Sequence, residues 1–171
     1  ESPYAFARAE PFSLIDPRES HFAQLRQLTF GGENAEAYWS PDGRELLYQA
    51  HVPPYECDQI FRLNVAEAGG KEPIRVSNGT GRTTCSYFLA SGERVIFSST
   101  HGADAACPAS PDRSKGYVWP LYSTYEIWSA KPDGSDPVRL TENSFYDAEA
   151  TVCFKDGSVI FTSDRDGDLE L

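Results

Sequence analysis

The stretch SDRDGDLEL, residues 163–171, places Asp164, Asp166, Asp168 and Glu170 at alternate positions. Carboxylates so spaced can wrap a calcium ion, with Gly167 permitting the turn, although the twelve-residue loop of an EF-hand is not there. His101 is a candidate metal ligand or general base. It has no second His, Glu or Asp at a matched spacing, and the plainer expectation is a hydrogen-bonding role in the fold. Nucleophilic chemistry has less to stand on. The chain contains no G-x-S-x-G elbow, no phosphate-binding loop and no dinucleotide fingerprint. No catalytic residue is therefore assigned, and no cofactor beyond calcium is expected. Asn78-Gly79-Thr80 forms a glycosylation sequon that matters only in a eukaryotic secretory setting.

The 171 residues suffice for one domain with a real core, or for a piece of a larger one. A net charge of -11 argues against nucleic acid, which needs clustered Lys and Arg. No apolar run approaches the ~20 residues that span a bilayer. Glu1 to Ala9 have neither a basic start nor an apolar core, so a mature form without its signal peptide is expected. The four cysteines, Cys57, Cys85, Cys107 and Cys153, show no C-x-x-C spacing. They suit one or two disulfides and an oxidising compartment.

The elements that must position these residues repeat. EAYWSPDGRELLYQA from Glu36, CSYFLASGERVIFSS from Cys85 and EATVCFKDGSVIFTS from Glu149 align, with Tyr48, Phe97 and Phe161 equivalent. DQIFRLN, YEIWSAK and DLEL align Ile60, Ile127 and Leu171, while RQLTF, IRVSN and VRLTE align Leu28, Val76 and Leu140. Leu28 to Val76 is 48 residues and Tyr48 to Phe97 is 49; the next intervals, Val76 to Leu140 and Phe97 to Phe161, are both 64. Two markers thus agree on the period, and on about 16 extra residues near His101 to Pro120.

Each repeat reads as strands a, b and c, a turn, and strand d. Gly-bearing turns at Pro41–Gly43, Pro132–Gly134 and Lys155–Gly157 connect them. The b strands ELLY, RVIF and SVIF are nearly continuous apolar runs, as in strands buried on both faces. Aromatic residues make up 13% of the chain, and 13 glycines and 12 prolines are scattered along it. That mixture suits short, pleated, half-buried strands. The fold class is all-β: β-propeller blades of four antiparallel strands, about three of them, or half of a six-bladed ring.

The WSPDG-x-x-LLY, YEIWSAKPDGSDPVRLT and FTSDRDGDLEL stretches resemble the repeats of the TolB-like (WD-repeat-like) β-propeller family. The resemblance runs from about Leu25 to the end and implies a periplasmic or secreted scaffold that binds proteins, peptides or small ligands. Residues 1–24 are expected to form an extended arm, and residues 25–171 a partial propeller. Three repeats do not close a ring. The remaining blades are expected either in further sequence or in a second copy, with Gln27–Phe30 as a leading d strand.

In such a propeller the starts of a strands and the ends of b strands share one rim. That rim is the candidate binding surface, collecting His51, Arg82, His101, Tyr146, Asp147, Glu149 and Arg165. Tyr117 and Trp119 of the insertion join it as amphipathic aromatics, which either contact a ligand or pack the loop. A Cys57–Cys85 bridge stapling neighbouring blades is the first expectation, Cys85–Cys107 the second, with free thiols the remaining alternative. The functional expectation is a non-enzymatic binding propeller. The alternatives are the gating propeller of a prolyl oligopeptidase-type serine peptidase and a metal-dependent propeller lyase, for fold alone does not select among them.

Overall fold

The computed structural model describes residues 15–171. Its first sheet has the strands β1 (Glu33–Trp39), β2 (Glu45–His51), β3 (Gln59–Asn64) and β4 (Ile74–Arg75), paired in that order and all antiparallel. The second has β5 (Thr83–Phe88), β6 (Val95–Ser99), β7 (Glu126–Ala130) and β8 (Val138–Arg139), again in sequence order. The third pairs β9 (Asp147–Val152) with β10 (Val159–Ser163). These are two four-stranded blades and the leading hairpin of a third.

The repeat equivalences hold at the level of individual hydrogen bonds. Ala50 pairs with Gln59, Ser99 with Glu126, and Ser163 with Glu170, so the three b–c junctions share one register. In the first two blades the d strand closes identically. Val76 N and Ser77 N donate to the Ile60 carbonyl, and Leu140 N and Thr141 N to that of Ile127. Ser77 Oγ and Thr141 Oγ1 then accept from the amides of Ile60 and Ile127 at 3.0 and 2.9 Å. The a–b turn at Gly43 needs a positive φ of 69°, which glycine adopts without steric cost.

The blades pack face to face. Leu47, Ile60 and Val76 of the first meet Phe88, Val95 and Phe97 of the second. Ile96 and Ile127 on the other face of the second blade meet Ala150, Val152 and Phe161 of the third. The outer face of the first blade carries a separate cluster around Tyr48, Val52 and Phe61.

One expectation is corrected. Gln27–Phe30 is not a strand, because no c strand lies beside it among the described residues to complete a ladder. Leu28 nevertheless packs on the outer cluster of the first blade, as an apolar residue does without needing a backbone partner. The proposed arm falls outside the described residues as far as residue 14. The rest of it, from Ile15, has no regular structure.

Candidate ligand pocket beneath the insertion

Each a strand carries a bulge near its start. The register of β1 against β2 shifts between Ala35 and Tyr38, that of β5 against β6 between Thr84 and Tyr87, and β9 and β10 shift at the matching place. At each bulge a non-glycine residue takes a left-handed backbone: Glu36 (φ 50°), Cys85 (φ 48°) and Glu149 (φ 59°). Such a conformation costs about 1–3 kcal/mol and persists only where its surroundings enforce it. A bulge re-aims its side chain. These three are turned toward one another, since the Cys85 thiol hydrogen-bonds Glu36 and also feels the charge of Glu149. Burial first, then these two carboxylates, push the thiol far up, so Cys85 is an unreactive thiol at neutral pH.

Above the first two bulges lies a cavity of about 230 Å³. Glu36, Gln49, Thr83 and Thr84 supply strand residues, Asp58 and Arg82 come from the loops before β3 and β5, and Tyr146 from just before β9. The insertion covers it with Arg113, Tyr117, Trp119 and Tyr122, and Tyr125 follows at the foot of β7. Gln49 Oε1 accepts from Thr84 Oγ1 at 2.8 Å, joining the first two blades beneath the cavity. Arg82 faces Asp58 at 3.7 Å. The aromatic side is a connected stack: Tyr122 and Tyr125 lie 6.1 Å apart, and Tyr125 meets Tyr146 edge-on at 5.9 Å. Trp119 hydrogen-bonds the Tyr146 hydroxyl, so the insertion touches the third blade as well. Burial, then the charge of Glu149, holds Tyr146 protonated well above the ordinary phenol range.

A disulfide holds the insertion in place. It joins Cys57 to Cys107, with 5.7 Å between the Cα atoms, and corrects the expected Cys57–Cys85 bridge and the Cys85–Cys107 alternative. Cys85 is committed to the bulge with its thiol aimed at Glu36, whereas Cys107 on the insertion folds back to the mouth of β3. Cys85 and Cys153 are free.

Of the candidate rim residues, Arg82, Tyr117, Trp119 and Tyr146 line this cavity. The others do not. His51 ends β2, opposite Glu33. His101 stacks on Trp128 at 4.1 Å and its Nδ1 lies 2.6 Å from Ser99 Oγ. Burial, then Arg139, lowers its pKa, which makes it a neutral structural histidine. Asp147 and Arg165 are spent on each other: Arg165 Nη2 donates to both carboxylate oxygens, at 3.0 and 2.9 Å. Glu149 accepts from Thr162 Oγ1 at 2.8 Å. The calcium candidates do not converge either. Asp164 Oδ1 accepts from the Tyr146 amide at 2.7 Å, Asp168 from the Leu169 amide, and Asp166 is exposed. Among the described residues no group of three His, Cys, Asp or Glu is placed to hold a metal ion.

Gln49, Asp58, Arg113 and Tyr125 also line the cavity without having been singled out in the sequence. Asp58 and Tyr125 were within reach, because both stand one residue before the equivalent third strands.

The blades and their radial stacking define a β-propeller. Its fold is TolB-like. The structure of TolB from Acinetobacter baumannii is similar at a TM-score of 0.59 and 19% identity, over 82% of this chain and 29% of that one. A structure assigned as TolB from Agrobacterium tumefaciens is similar at 0.55 and 21% identity, over 77% and 39%. An oligogalacturonate lyase from Vibrio parahaemolyticus aligns at 0.45 and 14% identity, over 81% and 35%. The chain thus spans between 29% and 39% of the length of these proteins. No protein-family model and no curated protein matches it. No helix among the described residues is long and apolar enough to cross a membrane.

Proposed function

We propose that this chain is the ligand-binding part of a non-enzymatic, periplasmic or secreted propeller, and that it binds a peptide segment of a protein partner in the cavity beneath the insertion. One observation carries the reading: a cavity roofed by Tyr117, Trp119 and Tyr122 and floored by bulged strand starts, all on one rim. Tyr and Trp supply large contact area at low entropic cost and dominate binding hot spots. The volume of about 230 Å³ falls below the roughly 300–1,000 Å³ of sites that enclose whole small molecules, and it suits a side chain and its backbone. The disulfide supports a compartment outside the reducing cytoplasm. His51 and His101, the histidines of the metal-dependent lyase alternative, lie away from this cavity.

Selection of a random peptide library on the intact protein, followed by calorimetry of the selected peptides, tests this reading. Trp119→Ala and Arg82→Ala are expected to weaken the selected peptides by at least about tenfold, as truncating a hot-spot residue does. Peptides that bind both variants as tightly as the parent would overturn it.

A further inference from the structure

The polar groups of the cavity are unevenly satisfied. Asp58 has Arg82 at 3.7 Å. Arg113 is exposed, with its guanidinium 5.7 Å from the centre of the Tyr117 ring. Glu36 has no ion-pair partner among the described residues. Its Oε2 is buried and makes no hydrogen bond among the described residues, and its one side-chain donor is the weak Cys85 thiol. The other bulge carboxylate, Glu149, adds to the negative field, which Tyr146 registers. A left-handed backbone at Glu36 is a costly way to place a carboxylate where nothing balances it. The terminal torsion of a glutamate is soft, so a turn of the carboxylate brings Oε2 to the cavity without moving the strand.

Tyr117, Trp119 and Tyr146 line the same cavity as this carboxylate. Aromatic faces carry negative quadrupole and attract desolvated cations. An unpaired carboxylate within an aromatic enclosure is complementary to an organic cation and repels an anion. Arg82 also lines the cavity, and its buried Nε makes no hydrogen bond among the described residues. Resting on the proposal that the cavity binds peptides, we infer that it is a specificity pocket for a basic side chain. The ammonium or guanidinium of a Lys or Arg residue pairs with Glu36 among the aromatic rings, and Arg82 Nε donates to a backbone carbonyl of the same peptide.

The test uses the intact, oxidised chain and blocked peptides selected as above, each made in four versions at the position that fills the cavity: Lys, Nε-acetyl-Lys, Leu and Glu. Acetylation removes the charge while keeping the stem. The Lys version is expected to bind at least about tenfold more tightly than the acetyl-Lys and Leu versions, and the Glu version most weakly, as removing one member of a close charge pair does. Glu36→Gln is expected to erase the difference between Lys and acetyl-Lys, with the thermal midpoint checking that the variant stays folded. Equal binding of all four versions, or a Lys preference that survives in Glu36→Gln, overturns the pocket's selectivity and leaves peptide binding standing. Failure of every peptide to bind overturns both.

Discussion

The second and third blades carry nearly the same b strand, RVIFSS and SVIFTS, and bury it to opposite degrees. Val95, Ile96 and Phe97 are at most 2% exposed, whereas Val159 and Ile160 are 38% and 51% exposed. The second blade is covered on both faces, by Leu47 and Ile60 on one side and Ala150 and Phe161 on the other. The third is covered on one. On its far side Val159, Ile160 and Leu171 line an open cavity of about 500 Å³. A continuous apolar run therefore states what a strand requires of its neighbours, and the neighbours decide whether it is met. Phe161, which turns toward the second blade, remains half-buried, with the Arg165 guanidinium 5.2 Å from its ring centre.

The largest effect that would break this contrast is a matched pair of truncations. Phe97→Ala removes a ring packed among Leu47, Val95 and Ala130 and should cost about 3–5 kcal/mol. Phe161→Ala, at the half-covered position, should cost about 1–2 kcal/mol, because less surface is returned to water. Urea unfolding of both variants measures the difference. Equal costs would mean that Phe161 is seated on the second blade as tightly as Phe97 is on the first.

The repeat was legible because its markers are backbone-enforced. Tyr48, Phe97 and Phe161 fall on the same pleat, and the Val76 and Leu140 amides bond equivalent carbonyls. Much of the cavity was legible too, since the rim follows from the order of strands: Arg82 and Tyr146 precede a strands, and the insertion hangs over them. What was hidden depends on which neighbour a polar side chain meets. Asp147, Arg165 and Ser163 form a closed network, so groups that read as a ligand surface are anchors of the fold. The disulfide was hidden for a similar reason. Cys57 and Cys85 stand at strand starts of neighbouring repeats, but the bulge that turns Cys85 toward Glu36 has no signature in residue type.

Covalent stapling sharpens the contrast between the blades. The Cys57–Cys107 bond ties the insertion of the second blade to the first across 50 residues, and no such bond reaches the third. Cys107→Ser should cost about 2–4 kcal/mol and release the insertion to proteolysis. Cys153→Ser, at an exposed thiol, should stay within about 0.5 kcal/mol. Thermal melts with and without reductant, compared with the Cys107→Ser melt, check both. A parent protein that melts identically in reductant would show that the bridge adds nothing to the insertion's seat.

The smallest effect separates the blades by pH. Thr83 and Asp147 occupy the same place, opposite Ser99 and Ser163. Thr83 Oγ1 donates to the Asp58 carbonyl at 3.0 Å, a neutral contact. Asp147 is fully buried and charged. Burial by itself would raise its carboxyl, but Ser163, Asn143 and Arg165 outweigh that and hold it below the usual carboxylate range. A depressed carboxyl adds stability that is complete above its unfolded value of about 3.9 and lost as pH falls through the folded one. Asp147→Asn should cost about 1–2 kcal/mol at neutral pH, moderated because Arg165 is 49% exposed. It should also flatten the stability profile below about pH 4. Hydrogen exchange should find Thr162 and Ser163 losing protection on acidification ahead of Ser98 and Ser99. Simultaneous loss in both strands would mean that the third blade is held by its packing on the second, with the buried ion pair adding little of its own.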